Sequence, residues 1–148
     1  MEKQSTKEEI KSRIDEKIEQ INVFMEELFD FVPKDLELED YKNDGKTKAI
    51  CERYFEKIIE AAEDLAFLIM KYKDLKRPEY ENEIFDILHK SNIISDILAK
   101  RLKDAKGMRN FIVHQYGKID DVLIYHAIFE ELEKDINEIL NNIKEVIK

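Results

Sequence analysis

The stretch Gly107-Met108-Arg109-Asn110-Phe111-Ile112-Val113-His114-Gln115-Tyr116 gathers the side chains best suited to chemistry in this 148-residue chain. Arg109 carries a permanent cation on a planar fork of donors, a shape matched to phosphate. Asn110 both donates and accepts. His114 brings an imidazole, the side-chain type that exchanges protons near neutral pH. Tyr116 adds a hydroxyl two residues on. Phe111, Ile112 and Val113 lie between them and are expected to anchor the stretch to a core. An arginine and a histidine with no thiol or serine nucleophile nearby suit phosphate-ester chemistry better than acyl transfer.

Helix geometry tests the spacing. At about 100° per residue, Asn110 and His114 are four apart and share a face. Arg109 is five from His114 and points about 140° away. It therefore either curls back toward His114 or faces a second subunit.

The elements that must position these groups read as helices. Thr6-Lys7-Glu8-Glu9 fits a capping box, and Ile10, Ile14, Ile18, Ile21, Met25 and Leu28 recur at helical spacing until Pro33. Asp35 to Asp40 reads as a turn or loop, and Asn43-Asp44-Gly45 as a break. A long helix is expected from Lys46 to Leu75, with Ile50, Tyr54, Ile58, Ala61, Leu65, Leu68, Ile69 and Tyr72 as its apolar stripe. A shorter element follows from Glu79 to Lys90. The next helix is expected to be capped by Ser91 or Asn92 and to end at Gly107, a C-terminal cap. The last helix, from Asp120, repeats Val122, Tyr125, Phe129, Leu132, Ile136, Ile139, Ile143 and Val146 at alternating spacings of 3 and 4. That regularity suits packing along a bundle or a subunit interface.

Composition sets bounds. The length fits one domain, 1–148, with room for a real core. Charged residues make up 40% of the chain, with three glycines and two prolines, which favours helices over turn-rich sheets. The longest apolar run, Leu65 to Met70, is too short to span a bilayer. No apolar segment resembling a signal peptide follows Met1, so a cytoplasmic location is expected. The lone Cys51 excludes an intramolecular disulfide and reads as a packed small hydrophobe. Three histidines on separate elements give no metal-ligand spacing, and no glycine-rich phosphate loop occurs, so neither metal nor cofactor is expected. His89 and His126 read as packing or surface residues.

The net charge of −9 argues against an ordinary nucleic-acid binder. Its distribution does not. Between Lys100 and Lys118 the cations are Lys100, Arg101, Lys103, Lys106, Arg109 and Lys118, against Asp104 alone. Lys103, Lys106 and Lys118 are therefore candidate RNA-binding residues, although cations also suit the C-terminal end of any helix. Glu60 and Asp64 lie one turn apart on the central helix. They form an exposed acidic face, or else one of them turns inward and orients Arg109 or His114.

Gly-Met-Arg-Asn-x-x-Val-His-x-Tyr, set after one long helix and before another, resembles the motif of the HEPN superfamily. The branch it most resembles is the HepT-like toxins. Upstream, Arg53-Tyr54-Phe55-Glu56 and Ile59-Glu60-Ala61-Ala62 are similar to the family's central helix, with Ile59 where a glycine is common. The likeness is strongest over 46–148. It implies an all-α, up-and-down bundle of four to five helices, paired as a homodimer so that two Arg-x-x-x-x-His motifs face one cleft.

The resemblance also implies a metal-independent endoribonuclease, the toxin of a toxin–antitoxin pair. The RNA 2′-hydroxyl would be the nucleophile, with His114 as general base or acid, Arg109 stabilising the phosphorane and Asn110 positioning. The implied partner is a nucleotidyltransferase antitoxin of the MNT type. In such systems the partner transfers AMP to the motif tyrosine, here Tyr116. The alternative is a non-catalytic helical module that binds a nucleotide or a partner protein.

Overall fold

The computed structural model describes residues 6–80, 83–114 and 120–148. Helix α1 spans Lys7–Phe31, and the Thr6 hydroxyl accepts from the Glu9 amide at 3.1 Å, as the capping box requires. Ile10, Ile14, Ile18, Ile21 and Leu28 form its buried stripe. The helix gives way to extended backbone at Val32, just before Pro33. A short helix, α2 (Leu38–Asn43), occupies part of the acidic stretch and buries Tyr41.

Helix α3 (Gly45–Tyr72) is the central element. Asp44 caps it, its carboxylate accepting from the amides of Lys46 and Thr47 and from the Thr47 hydroxyl at 2.8 Å. Its 28 residues make a rod about 42 Å long. α1 runs antiparallel beside it: Lys7 lies over Tyr72, Lys17 meets Asp64, and Glu27 accepts from the Tyr54 hydroxyl. α3 is buried on more sides than its single predicted stripe suggests, since Phe55, Ile59, Ala62, Glu63, Ala66 and Met70 are buried as well.

Helix α4 is Ile84–Lys90, shorter than the expected element from Glu79. Ser91 caps its C-terminus and Asn92 adopts a left-handed φ of 61°, so neither starts the next helix. Ser95 does, accepting from the Leu98 amide at 3.1 Å.

Helix α5 then spans Asp96–His114 and passes straight through Gly107. The expected cap is not there. Gly107 stays outside the left-handed region, and Lys106 and Arg109 on either side are good helix formers whose side chains reach one partner on α3. Tertiary pairing across the glycine outweighs its weak helix propensity.

After Asp120, which caps with hydrogen bonds to Val122 and Leu123, the chain is helical to Val146. The run has three parts: α6 (Asp121–His126), a π-helical segment (Ala127–Leu132) and α7 (Glu133–Val146). Its buried apolar residues are Ile124, Ile128, Leu132, Ile136, Ile139, Leu140 and Ile143. The expected stripe agrees from Leu132 onward. Upstream it is out of phase, because the wider π turn keeps residues four apart on one side. Tyr125 and Phe129 instead pack with Tyr41, and the Tyr125 hydroxyl donates to the Leu36 carbonyl.

The buried apolar side chains of all these helices join in one core. Each large apolar group there stabilises by about 1.5–3 kcal/mol, against roughly 0–1 for an exposed ion pair, so packing holds the bundle. Cys51 lies inside it, and burial pushes its thiol up to about 12. Among the described residues there is no strand, and no helix is long and apolar enough to cross a membrane.

Candidate active site on the fifth helix

Four positions of α5 line up along one exposed face at spacings of 4, 3 and 4: Lys103, Gly107, Asn110 and His114. Asn110 and His114 are thus one turn apart and open to solvent at the C-terminal end of the helix. Of the three apolar residues between them, Ile112 is buried, Phe111 half-buried and Val113 45% exposed, so Ile112 is the main anchor.

Within the single chain, Arg109 turns inward. Its side chain is only 15% exposed and runs into the bundle, where a terminal guanidinium nitrogen donates to Oε1 of Glu63 on α3. The other oxygen of that carboxylate, Oε2, lies 3.4 Å from the Lys106 ammonium. Lys106 and Glu63 are both buried, with side chains 6% and 9% exposed. One carboxylate therefore bridges two cations that sit three apart on α5. The Nε of Arg109 is also buried and has no hydrogen-bond partner.

Glu63 is the acid that sequence reasoning missed. Glu60 is exposed, and Asp64 is 55% exposed and 3.6 Å from Lys17 on α1. They form the exposed acidic face that was one of the two readings, and neither turns inward to orient Arg109 or His114, because helix phase turns them away from α5. The signal was there: Ile59, Glu63, Ala66 and Met70 form a second buried row at spacings of 4, 3 and 4, with one carboxylate in it. A charged group in such a row is rarely left unpaired.

The RNA-binding lysines separate. Lys106 is committed to the interior and does not present its ammonium to a polyanion. Lys103 is exposed and bonds Asp86 on α4 at 2.9 Å, a contact that holds its ammonium above the usual lysine range. Lys118 and Tyr116 lie outside the described residues.

A cavity of about 130 Å³ opens elsewhere on α5, between Phe55, Ile59, Met108 and the π-helical segment. At its rim Arg101 lies 3.4 Å from the buried carboxylate of Asp135. Burial pushes that carboxyl up, and the Arg101 charge only partly opposes the shift.

Residues 14–144 match the family described as ribonuclease HepT-like. This chain belongs to that family. It is similar to the tRNA nuclease HepT of Aphanizomenon flos-aquae, with 32% identity over 123 residues, 82% of this chain and 81% of the relative. It is similar also to the mRNA nuclease HepT of Shewanella oneidensis, with 31% identity over 85 residues, 57% of this chain and 63% of that one.

Among solved structures, the tri-AMPylated Shewanella oneidensis HEPN toxin in complex with its MNT antitoxin superposes with a TM-score of 0.80 at 24% identity. That match covers 89% of this chain and 96% of the other. A toxin–antitoxin complex with AMP-PNP superposes at 0.78 and 23% identity, covering 89% and 97%. These likenesses establish the HEPN-like, all-helical fold.

Proposed function

We propose that this protein is a metal-independent endoribonuclease and the toxin of a toxin–antitoxin pair. The observation that carries the reading is the pairing of Asn110 and His114 on one exposed face of α5, within a HepT-like chain whose motif arginine is fixed by Glu63. RNA brings its own nucleophile. His114 takes the proton from a 2′-hydroxyl, the 2′-oxygen bonds to phosphorus, and the bond from phosphorus to the 5′-oxygen breaks. The leaving oxygen gains a proton, and the products are a 2′,3′-cyclic phosphate and a 5′-hydroxyl. Arg109 stabilises the charge that builds on the phosphoryl oxygens, and Asn110 holds the phosphate or the imidazole. Two copies of the chain paired across α5 would bring two such faces to one cleft and supply a second histidine as the acid.

Relatives named as nucleases of tRNA and of mRNA support RNA as the substrate class. The complexes of structural neighbours with antitoxins support a nucleotidyltransferase of the MNT type as partner. Tyr116, two residues past His114, is the proposed acceptor of adenylate, which would place negative charge where RNA phosphate must sit.

The test is RNA cleavage in excess EDTA by wild type and His114→Ala. His114 is exposed, so its loss leaves the core intact. Wild type is expected to yield cyclic-phosphate ends, and the variant to lose cleavage by at least about a hundredfold with unchanged helicity. Nucleotide binding without cleavage by wild type would favour the binding module instead.

A further inference from the structure

Among the described residues, the cluster around Glu63 contains one charge more than orientation requires. Glu63 alone would fix Arg109, and the pair would be neutral. Lys106 adds a second cation, buried at 6% exposure, where a methionine of similar length would fit without desolvating an ammonium. Among the described residues, the charges meeting at this point are two cations and one carboxylate.

Building on the ribonuclease reading, we propose that Lys106 is a positioning residue for the reaction, acting through Glu63. By holding Oε2, it stops the carboxylate from cancelling the charge of Arg109. The guanidinium is then held rigidly and, on the ribonuclease reading, acts on the substrate as a cation through the small part of it left exposed. The helix makes this possible, because Lys106 and Arg109 are one turn apart and reach the two oxygens of a single side chain on α3. The low polarity around the cluster makes it matter, since charges there are weakly screened. The added charge has its largest effect where negative charge is greatest, in the transition state, so it acts on kcat more than on KM.

The experiment measures kcat and KM on an RNA oligonucleotide for the full chain and for K106M, K106R, E63Q and the double variant E63Q/K106M. Circular dichroism and thermal melts check each fold. K106M is expected to lower kcat by about tenfold or more, less than direct removal of a transition-state donor, with KM within about twofold. K106R restores most of the loss. The double variant removes the acid together with its counter-cation and leaves Arg109 charged, so it cleaves faster than K106M despite carrying one more substitution.

A merely structural lysine would not produce that reversal. K106M at wild-type kcat, or a double variant no faster than K106M, overturns the proposal while wild-type cleavage leaves the ribonuclease reading standing. If K106M does not fold, the double variant and K106R decide: slow turnover in either, with the fold intact, overturns the proposal. No cleavage by folded wild type overturns both.

Discussion

Replacing Glu63 by alanine removes the only carboxylate described between two buried cations. The side chains of Lys106, Glu63 and Arg109 are 6%, 9% and 15% exposed, so the remaining charges do not simply hydrate in place. Removing one partner of a buried ion pair costs about 3–5 kcal/mol, because the other charge is left uncompensated. Here two cations would be left facing each other, which puts the expectation at the upper end of that range. Domains of this size are stable by roughly 5–15 kcal/mol and lose about 2–4 °C of Tm per kcal/mol, so Tm falls by about 6–20 °C. Urea unfolding followed by helical ellipticity gives the free energy directly. Adding Lys106→Met to Glu63→Ala removes one orphaned cation and recovers part of the loss. The loss itself should change little between 0.1 and 1 M salt, about the range over which exposed pairs are screened. If Glu63→Ala lies within about 1 kcal/mol of wild type at unchanged m-value, the cations have found water and the cluster is not a buried one.

Gly107→Ala is expected to stabilise the protein by about 1 kcal/mol, since an added Cβ meets nothing within 4 Å and the glycine lies inside a helix. A melt that falls would mean that the chain needs a stop there after all. Asp135→Asn tests the raised carboxyl beside the cavity. Burial, only partly opposed by Arg101, holds its folded pKa above the unfolded one, so its ionised form is disfavoured in the fold. Wild type then loses stability relative to the asparagine variant as pH rises through the folded pKa, and the gap closes below the unfolded pKa. A gap that shrinks with rising pH, measured by parallel melts from pH 3 to 8, would reverse the assignment.

Much of the fold was legible because it is local. The Thr6 cap, the α1 stripe and the Asp120 cap need only neighbours a few residues away. Gly107 was misread for the opposite reason. Its propensity favours an end, and the pairing that overrides it joins Arg109 to Glu63, 46 residues upstream of that arginine. The same separation hid the destination of Arg109. Helix arithmetic gave its angle from His114, but not which carboxylate waits in that direction. A single apolar stripe on α3 left Glu63 out of view beside Glu60 and Asp64, when a central helix buried on several sides needed two stripes. In the last helix a fixed α-period was applied across a segment that does not follow it, so Val122 stood in the stripe where Ile124 belongs.

That segment, Ala127–Leu132, has a consequence for how the chain tolerates change in length. A π turn holds an extra residue relative to the α-helical turn it replaces. Substituting the exposed Glu130 alters one side chain. Deleting it would let the run close into ordinary α-helix, and because the deleted residue is the extra one, α6 would keep nearly its present phase relative to α7. Ile124 would stay in the core and Tyr125 beside Tyr41 and the Leu36 carbonyl. A one-residue difference in length is therefore absorbed within 127–132, whereas the same deletion in α7 would rotate the run by about 100°.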